Sequence, residues 1–167
     1  MNMEADFAIG AIATVVNRID GLYGKFAQKH GVPYGIIRVL YVLGPHSPVT
    51  QKRISEICEI PKQTVNSVIK QLRTDEYIIV TASKEDKREK EIRLTPLGEA
   101  YVQKTLKPFL DINKMAVDRI GLDFVQNLSQ RLTTLSDALE LEMELKEVSS
   151  KWEEKLKKGG TGGNDEK

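Results

Sequence analysis

Apolar residues recur at helical spacing along the first part of the chain. Over residues 5–26 they step alternately by three and four positions, as the members of one helix face do. This pattern predicts a long amphipathic helix that ends near Lys29, because Gly31 and Pro33 follow it as stop signals.

Two further helices are predicted on either side of a short loop. Residues 34–43 are mostly apolar and run into Gly44-Pro45, which predicts the end of a helix, and residues 46–49 are then predicted to be a loop. Thr50 is suited to cap a short helix over residues 51–58 with its hydroxyl group. The residues of that helix predicted to face inward are Ile54, Ile57 and Cys58.

The next predicted helix, residues 61–75, has two faces of different chemistry. Its apolar face consists of Val65, Val68, Ile69 and Leu72. Its polar face has no acidic residue before Asp75 and consists of Lys62, Gln63, Thr64, Asn66, Ser67, Lys70, Gln71 and Arg73. Such a face is either an ordinary solvated surface or a surface that binds a polyanion, and the helix alone does not distinguish the two.

A β-hairpin is predicted after this helix. Residues 77–81 are rich in β-branched and aromatic side chains, and residues 91–95 alternate between apolar and polar positions. The densely charged segment between them is longer than a tight turn requires, and loops of that kind often carry function.

The rest of the chain is predicted to be helical. Thr95 is the expected cap of a helix with Pro96 in its first position, Pro108 is expected to kink that helix, and Gly121 is expected to interrupt it. Apolar residues then continue at helical spacing to Trp152. The glycine-rich segment 158–167 is predicted to be a disordered tail.

Composition narrows the class of protein. The formal net charge is only +1, so any affinity for nucleic acid must come from the local arrangement of charge. The single cysteine excludes an internal disulfide and fits a reducing compartment. The sequence contains no apolar run of about 20 residues, so no membrane span is predicted. These features predict a cytoplasmic protein. No motif of a catalytic site is present, so an enzyme is not expected and no cofactor is indicated.

The order of the predicted elements indicates a winged helix-turn-helix. Two short helices joined by a tight turn precede a two-stranded hairpin, and the second helix carries polar side chains suited to base edges and phosphates. Because the helix follows a short capped helix and precedes a hairpin, its polar face is interpreted as a DNA-binding surface. The fold class expected is mainly α with a small β-hairpin, comprising a winged helix-turn-helix lobe and a helical dimerisation lobe.

At these residues the sequence resembles the multiple antibiotic resistance regulator (MarR) family of transcription factors. The resemblance rests on IPKQTVNSVIKQL (60–72) as a recognition helix and on EDKREKEIRLTPLGEA (85–100) as a wing with its following helix. It implies a homodimer built from the terminal helices, with residues 1–32 and 97–157 forming the dimerisation lobe and residues 33–96 the DNA-binding lobe. It also implies a DNA-binding transcriptional regulator, by default a repressor, acting on a pseudo-palindromic operator.

The resemblance assigns roles to individual residues. The residues it implies as contacts to double-stranded DNA are Lys62, Gln63, Thr64, Asn66 and Ser67 of the recognition helix, and Asp86 and Arg88 of the wing. Lys70 is expected to reach a phosphate as a point charge, and Lys87 is expected to contact phosphates from the charged tip of the wing. Lys84 and Lys90 belong to the same charged tip. The resemblance further implies a small aromatic or phenolic ligand bound between the lobes, for which the candidate residues are Tyr34, Arg38 and His46.

Three alternatives remain open. The apolar stripes at both ends of the chain also fit a helical scaffold or protein-interaction dimer without sequence-specific DNA binding. Cys58 could act as a redox sensor, although a buried structural thiol is the expected role. His30 and His46 have no ligand spacing between them, so a metal site is not expected.

Overall fold

The computed structural model describes residues 3–82 and 90–159, and it is mainly α-helical with one small sheet. The helices are α1 (Met3–Lys29), α2 (Tyr34–His46), α3 (Gln51–Cys58), α4 (Lys62–Thr74), α5 (Pro96–Ile120) and α6 (Leu122–Gly159). The strands are β1 (Val49–Thr50), β2 (Ile78–Ala82) and β3 (Lys90–Leu94). The chain forms two compact units, residues 1–111 and residues 112–167. The fold class predicted from the sequence is confirmed, whereas the division into dimerisation and DNA-binding lobes remains a prediction.

The end of α1 is set by Gly31, as its sequence predicts. Gly31 adopts a left-handed conformation with φ of 69°. Its backbone N–H donates to the carbonyl of Gln28 (3.1 Å), and the N–H of Val32 donates to the carbonyl of Ala27 (3.1 Å). These two bonds form a Schellman motif, which satisfies carbonyls that the helix end would otherwise leave unpaired.

Helix α2 extends further than the sequence predicted. It continues through Gly44 and Pro45 to His46, whereas the predicted end was Leu43. A proline lacks one backbone donor, and in the last turn of a helix this removes only one intrahelical hydrogen bond. Gly44 also lies against the side chain of Val102 in α5, since a Cβ atom added there would lie 3.3 Å from Val102 Cγ1.

The sheet has three strands in the order β1-β3-β2, all antiparallel. The hairpin of β2 and β3 is confirmed, with Ile78 opposite Leu94 and Ala82 opposite Lys90. Strand β1 corrects the prediction of a loop over residues 46–49, because Val49 pairs with Ile92 and Thr50 with Glu91. Two residues carry no periodic signal, so this strand could not be predicted from the sequence.

The core of the first unit lies between α2, α3, α4, the sheet and parts of α1 and α5. Its largest fully buried side chains are Phe109, Ile37, Leu40, Leu43, Ile54, Leu72, Ile92, Val39 and Val65. Ile57, which was predicted to face inward, is 42% exposed. Ile54 and Cys58 are four residues apart and share the buried stripe of the short helix α3, and Ile57 lies at its edge.

The link from the sheet to α5 is made by Thr95. Its hydroxyl accepts a hydrogen bond from the N–H of Gly98 (2.9 Å), which confirms the predicted cap, and donates to the carbonyl of Glu76 (2.8 Å). Its backbone N–H donates to the carbonyl of Tyr77 (3.0 Å). The start of α5 is therefore tied to the end of the turn between α4 and β2.

The second unit contains the end of α5 and the whole of α6. Gly121 separates the two helices with φ of 91°, as predicted from its position. Helix α6 reaches Gly159 and so includes the first two residues assigned to the tail, while residues 160–167 lie outside the described part of the chain. Among the described helices, none combines the length and the apolar character needed to cross a membrane.

Candidate nucleic-acid interface

Helix α4 presents its polar face to solvent because its apolar face is sealed into the core. Val65, Val68, Ile69 and Leu72 are between 0% and 7% exposed, as the sequence predicted. The six side chains implied as DNA contacts on this helix are all exposed, namely Lys62, Gln63, Thr64, Asn66, Ser67 and Lys70. The structure therefore brings these six residues together on one accessible surface.

The turn before α4 uses an unusual residue. Glu59 ends α3 in the left-handed conformation (φ 47°, ψ 41°), where glycine is more common. Pro61 occupies the position before α4 and supplies no side-chain cap. The free N–H groups of the first turn of α4 are thus not occupied by a capping side chain.

Contacts from α2 and from α3 itself hold this turn in place. The guanidinium of Arg38 donates to the carbonyl of Cys58, and the Cys58 thiol donates back to the carbonyl of Arg38 (3.4 Å). The hydroxyl of Ser55 donates to the carbonyl of Ile60 (3.0 Å). These bonds tie the turn to α2 and to α3.

A basic groove runs between α4 and the sheet. It has a volume of about 390 Å³ and is lined by Gln51, Asn66, Ile69, Lys70, Arg73, Thr74, Val80 and Lys90. Its cations come from two elements, Lys70 and Arg73 from α4 and Lys90 from β3. Within residues 3–82 and 90–159, no ion pair neutralises these three side chains. Among the described residues, three cations and no acidic side chain line this groove, and such a surface attracts phosphate groups.

Two hydrogen bonds organise the outer face of α4. The amide of Gln51, the first residue of α3, donates from Nε2 to Oδ1 of Asn66. The hydroxyl of Ser67 donates to the carbonyl of Gln63 in the preceding turn (3.0 Å). Sequence reasoning placed Arg73 on the polar face without a role and missed Gln51 altogether, because its contact joins side chains 15 positions apart.

The wing is described in part. Strands β2 and β3 pair over their full length, which supports a hairpin beside α4. Asp86, Lys87 and Arg88 lie in segment 83–89, outside the described residues. Their roles in DNA binding remain predictions from the sequence.

Two of the three candidate ligand residues lie together. The Arg38 guanidinium carbon is 5.9 Å from the centre of the Tyr34 ring, and the Tyr34 hydroxyl donates to the Asp20 carboxylate (2.9 Å). Burial, reinforced by the hydrogen bond to Asp20, raises the pKa of Tyr34 to about 12. His46 is at the opposite end of the thirteen-residue helix α2, about 18 Å from Tyr34 along the helix axis. It therefore does not join the other two residues.

Cys58 is buried in the core, at 6% exposure, as expected for a structural thiol. Burial raises the pKa of its thiol, an effect that the nearby Arg38 partly opposes. A raised pKa disfavours the reactive thiolate. Within the described part of the chain, no group of three or more His, Cys, Asp or Glu residues is arranged to hold a metal ion.

Comparison with known proteins supports a regulator. Residues 30–89 match the model of the MarR family. The chain is 34% identical over 88 residues to an uncharacterised HTH-type transcriptional regulator from Staphylococcus aureus strain Mu50. That match covers 53% of this chain and 58% of the relative, so it spans little more than half the relative's length.

The similarity to solved structures extends over more of the chain than the sequence match does. A MarR family regulator from Neisseria meningitidis superposes with a TM-score of 0.73 at 26% identity, covering 86% of this chain and 98% of that one. Staphylococcus aureus MarR in complex with salicylate and kanamycin superposes with a TM-score of 0.61 at 24% identity, covering 83% and 93%. The Neisseria meningitidis protein and the Staphylococcus aureus relative are both named as regulators, in keeping with the expectation that the chain is not an enzyme.

Proposed function

We propose that this chain, which belongs to the MarR family, is a sequence-specific DNA-binding regulator that acts as a homodimer on a pseudo-palindromic operator. The observation that carries the proposal is α4: its apolar face is fully packed, and its exposed face holds polar and cationic residues without an acid. A helix face that is only solvated would not be expected to have a cation from another element beside it. Strand β3 nevertheless contributes Lys90 to the groove next to α4.

The chemistry of α4 matches the major groove of DNA. The amides of Gln63 and Asn66 offer both donors and acceptors, which base edges require for direct readout. Lys62 and Lys70 reach phosphates as point charges, and the short hydroxyl side chains of Thr64 and Ser67 suit either role. The wing residues Asp86, Lys87 and Arg88 extend this proposal to a second contact with the duplex.

Exposed apolar residues on α1 support the homodimer. Val15, Ile19 and Leu22 are 56%, 48% and 56% exposed along the predicted stripe. A monomer in water rarely leaves so many large apolar side chains exposed on one helix, and a second copy of the chain would cover them. A two-fold dimer carries two copies of α4 and therefore favours an operator with two related half-sites.

We further propose that the regulator represses transcription and that a small aromatic or phenolic anion releases it from DNA. A dimer bound over promoter DNA blocks access to it, which favours repression. The Arg38 guanidinium beside the Tyr34 ring offers a cation and an aromatic face to such an anion. Staphylococcus aureus MarR, a protein of similar fold, is described in complex with salicylate.

Capture of genomic fragments on the purified chain, followed by footprinting, tests the main proposal. We expect protection of a pseudo-palindrome with half-sites about 10–10.5 bp apart, centre to centre. Retention of all fragments alike, or a single asymmetric site, would contradict it and favour a scaffold or a non-specific DNA-binding protein.

A separate experiment tests the proposed release from DNA by an aromatic anion. A panel of aromatic carboxylates at millimolar concentration should weaken operator binding by the wild type, and Arg38→Ala should reduce this effect. Arg18→Ala on α1 serves as a control for the loss of one arginine. If no compound alters binding, this part of the proposal is wrong, whereas the proposed DNA binding is unaffected.

A further inference from the structure

The hydrogen bond between Gln51 and Asn66 joins the two helices of the helix-turn-helix at the surface where α4 faces solvent. Gln51 is the first residue of α3, and its backbone is held on two sides. Thr50 before it pairs with Glu91 in the sheet, and the Thr50 hydroxyl caps α3 by accepting from the N–H of Arg53 (3.2 Å). The Gln51 side chain is half-buried, so the amide group that donates to Asn66 has little freedom to move.

In the structure, this bond holds Oδ1 of Asn66 towards Gln51. An asparagine amide carries an oxygen that accepts on one side and an NH₂ group that donates on the other. Gln51 donates to Oδ1, so the two N–H groups of Nδ2 are the part of the amide that the bond does not use. Gln63 and Lys70, three residues before and four after Asn66, lie on the same strip of α4.

We propose that Gln51 is a positioning residue for sequence readout: it holds the Asn66 amide so that its N–H donors meet the acceptors of a purine in the major groove. Guanine presents two acceptors on that edge, N7 and O6, and adenine presents N7. The inference rests on the proposed function, since it assigns a base preference to the same surface. Gln51 itself need not touch DNA to set this preference.

A fixed amide reads a base better than a freely rotating one. A rotating asparagine presents donor and acceptor in turn, so it matches several base edges and also loses conformational freedom on binding. Held by Gln51, the side chain is already oriented before DNA arrives. The expected signature is therefore a loss of discrimination at one base pair of each half-site, rather than a uniform loss of affinity.

The experiment selects preferred sequences from randomised duplex DNA with the full-length chain. Four variants are compared with the wild type: Gln51→Ala, Asn66→Ala, the double variant, and Gln28→Ala as a control glutamine exposed on α1. Gln51→Ala should reduce the preference for purine at one position of each half-site by roughly five- to tenfold, with other positions unchanged. The double variant should match Asn66→Ala, because Gln51 acts only through Asn66.

The substitution Gln51→Glu provides a second readout. A carboxylate cannot donate to Oδ1, so Asn66 should turn its NH₂ group towards it and present Oδ1 to the base. The preference at that position should then shift away from guanine, which offers only acceptors on that edge, and towards the N4 amino donor of cytosine. A purely structural bond between the helices would not produce a change of base identity.

The outcomes separate this inference from the proposed function. If the wild type enriches no sequence, the proposed function is wrong. If the wild type enriches a palindrome and Gln51→Ala enriches the same one with equal discrimination, the positioning role is wrong while the regulator stands. A lowered melting temperature of Gln51→Ala without any change in preference would likewise overturn the positioning role.

Discussion

Gly98 shows how one residue determines the joint between the sheet and α5. A Cβ atom added at this position would overlap the carbonyl oxygen of Tyr77 and lie 2.8 Å from its carbonyl carbon. That carbonyl is already fixed, since it accepts a hydrogen bond from the N–H of Thr95. The backbone of Tyr77 therefore has no room to move away without losing this bond.

We expect Gly98→Ala to lower the free energy of unfolding by roughly 3 kcal/mol, because overpacking here displaces backbone rather than a flexible side chain. Gly10→Ala is the matched control, since nothing lies within 4 Å of an added Cβ atom on α1. It should raise the free energy of unfolding by up to about 1 kcal/mol through helix propensity. Urea denaturation of both variants measures the difference, and equal stabilities would contradict the packing argument.

Tyr34 gives a prediction on pH. Its pKa is raised to about 12 from 10.0 by burial and by the bond to Asp20, so folding favours the neutral phenol. The stabilisation is fully present below pH 10 and should be lost as the pH rises from 10 towards 12. Tyr34→Phe should remove this alkaline dependence. Absorbance titration of phenolate, as wild type minus variant, measures the pKa directly, and a difference curve centred near pH 10 would count against it.

At the scale of elements, we expect α4 and β3 to contact DNA phosphates together, because cationic side chains from both line the groove between them. Arg73→Ala and Lys90→Ala should each weaken binding to all DNA sequences alike and lower the salt slope of binding by about one. Lys104→Ala, an exposed lysine on α5, serves as the control and should leave the slope unchanged. Titrations across a salt series measure the slopes. If all three variants behave alike, the groove has no part in binding DNA.

The wing makes a distinct prediction. Arg88 belongs by sequence to the charged segment that joins β2 to β3, and an arginine there is suited to a narrow minor groove. Arg88→Ala should weaken operator binding by roughly 1–3 kcal/mol and lower the salt slope by about one. Asp86→Ala should cost less and leave the slope nearly unchanged, since it removes no positive charge. If Arg88→Ala binds the operator with wild-type affinity at every salt concentration, the wing has no role in recognition and α4 alone recognises DNA.

For the whole molecule, the exposed stripe of α1 makes the oligomeric state testable. Val15 and Ile19 are 56% and 48% exposed, so their replacement should not disturb the core of a single chain. The double variant Val15→Glu/Ile19→Glu should dissociate the proposed homodimer and lose operator binding, because charges in a buried interface are costly. Asn17→Glu, on the opposite side of α1, should remain dimeric. Sedimentation at several concentrations measures this, and a dimeric double variant would place the interface elsewhere.

Features that depend on near neighbours could be predicted from the sequence of this protein. The two faces of α4 follow from the 3.6-residue period, and the caps at Thr50 and Thr95 follow from a hydroxyl beside the first helical turn. Gly31 and Gly121 end their helices because glycine accepts the left-handed conformation. The 3.6-residue period also places the DNA-binding candidates of α4 on one exposed surface, while their contact with DNA remains a prediction.

Features that depend on distant partners were decided only by the tertiary structure. Strand β1 exists because Val49 and Thr50 meet β3 more than forty residues later, and two residues alone have no strand signal. Ile57 is exposed because packing covers only one stripe of α3, and His46 is separated from Tyr34 by the length of α2. Gln51 meets Asn66 through the packing of α3 on α4, which no local pattern encodes.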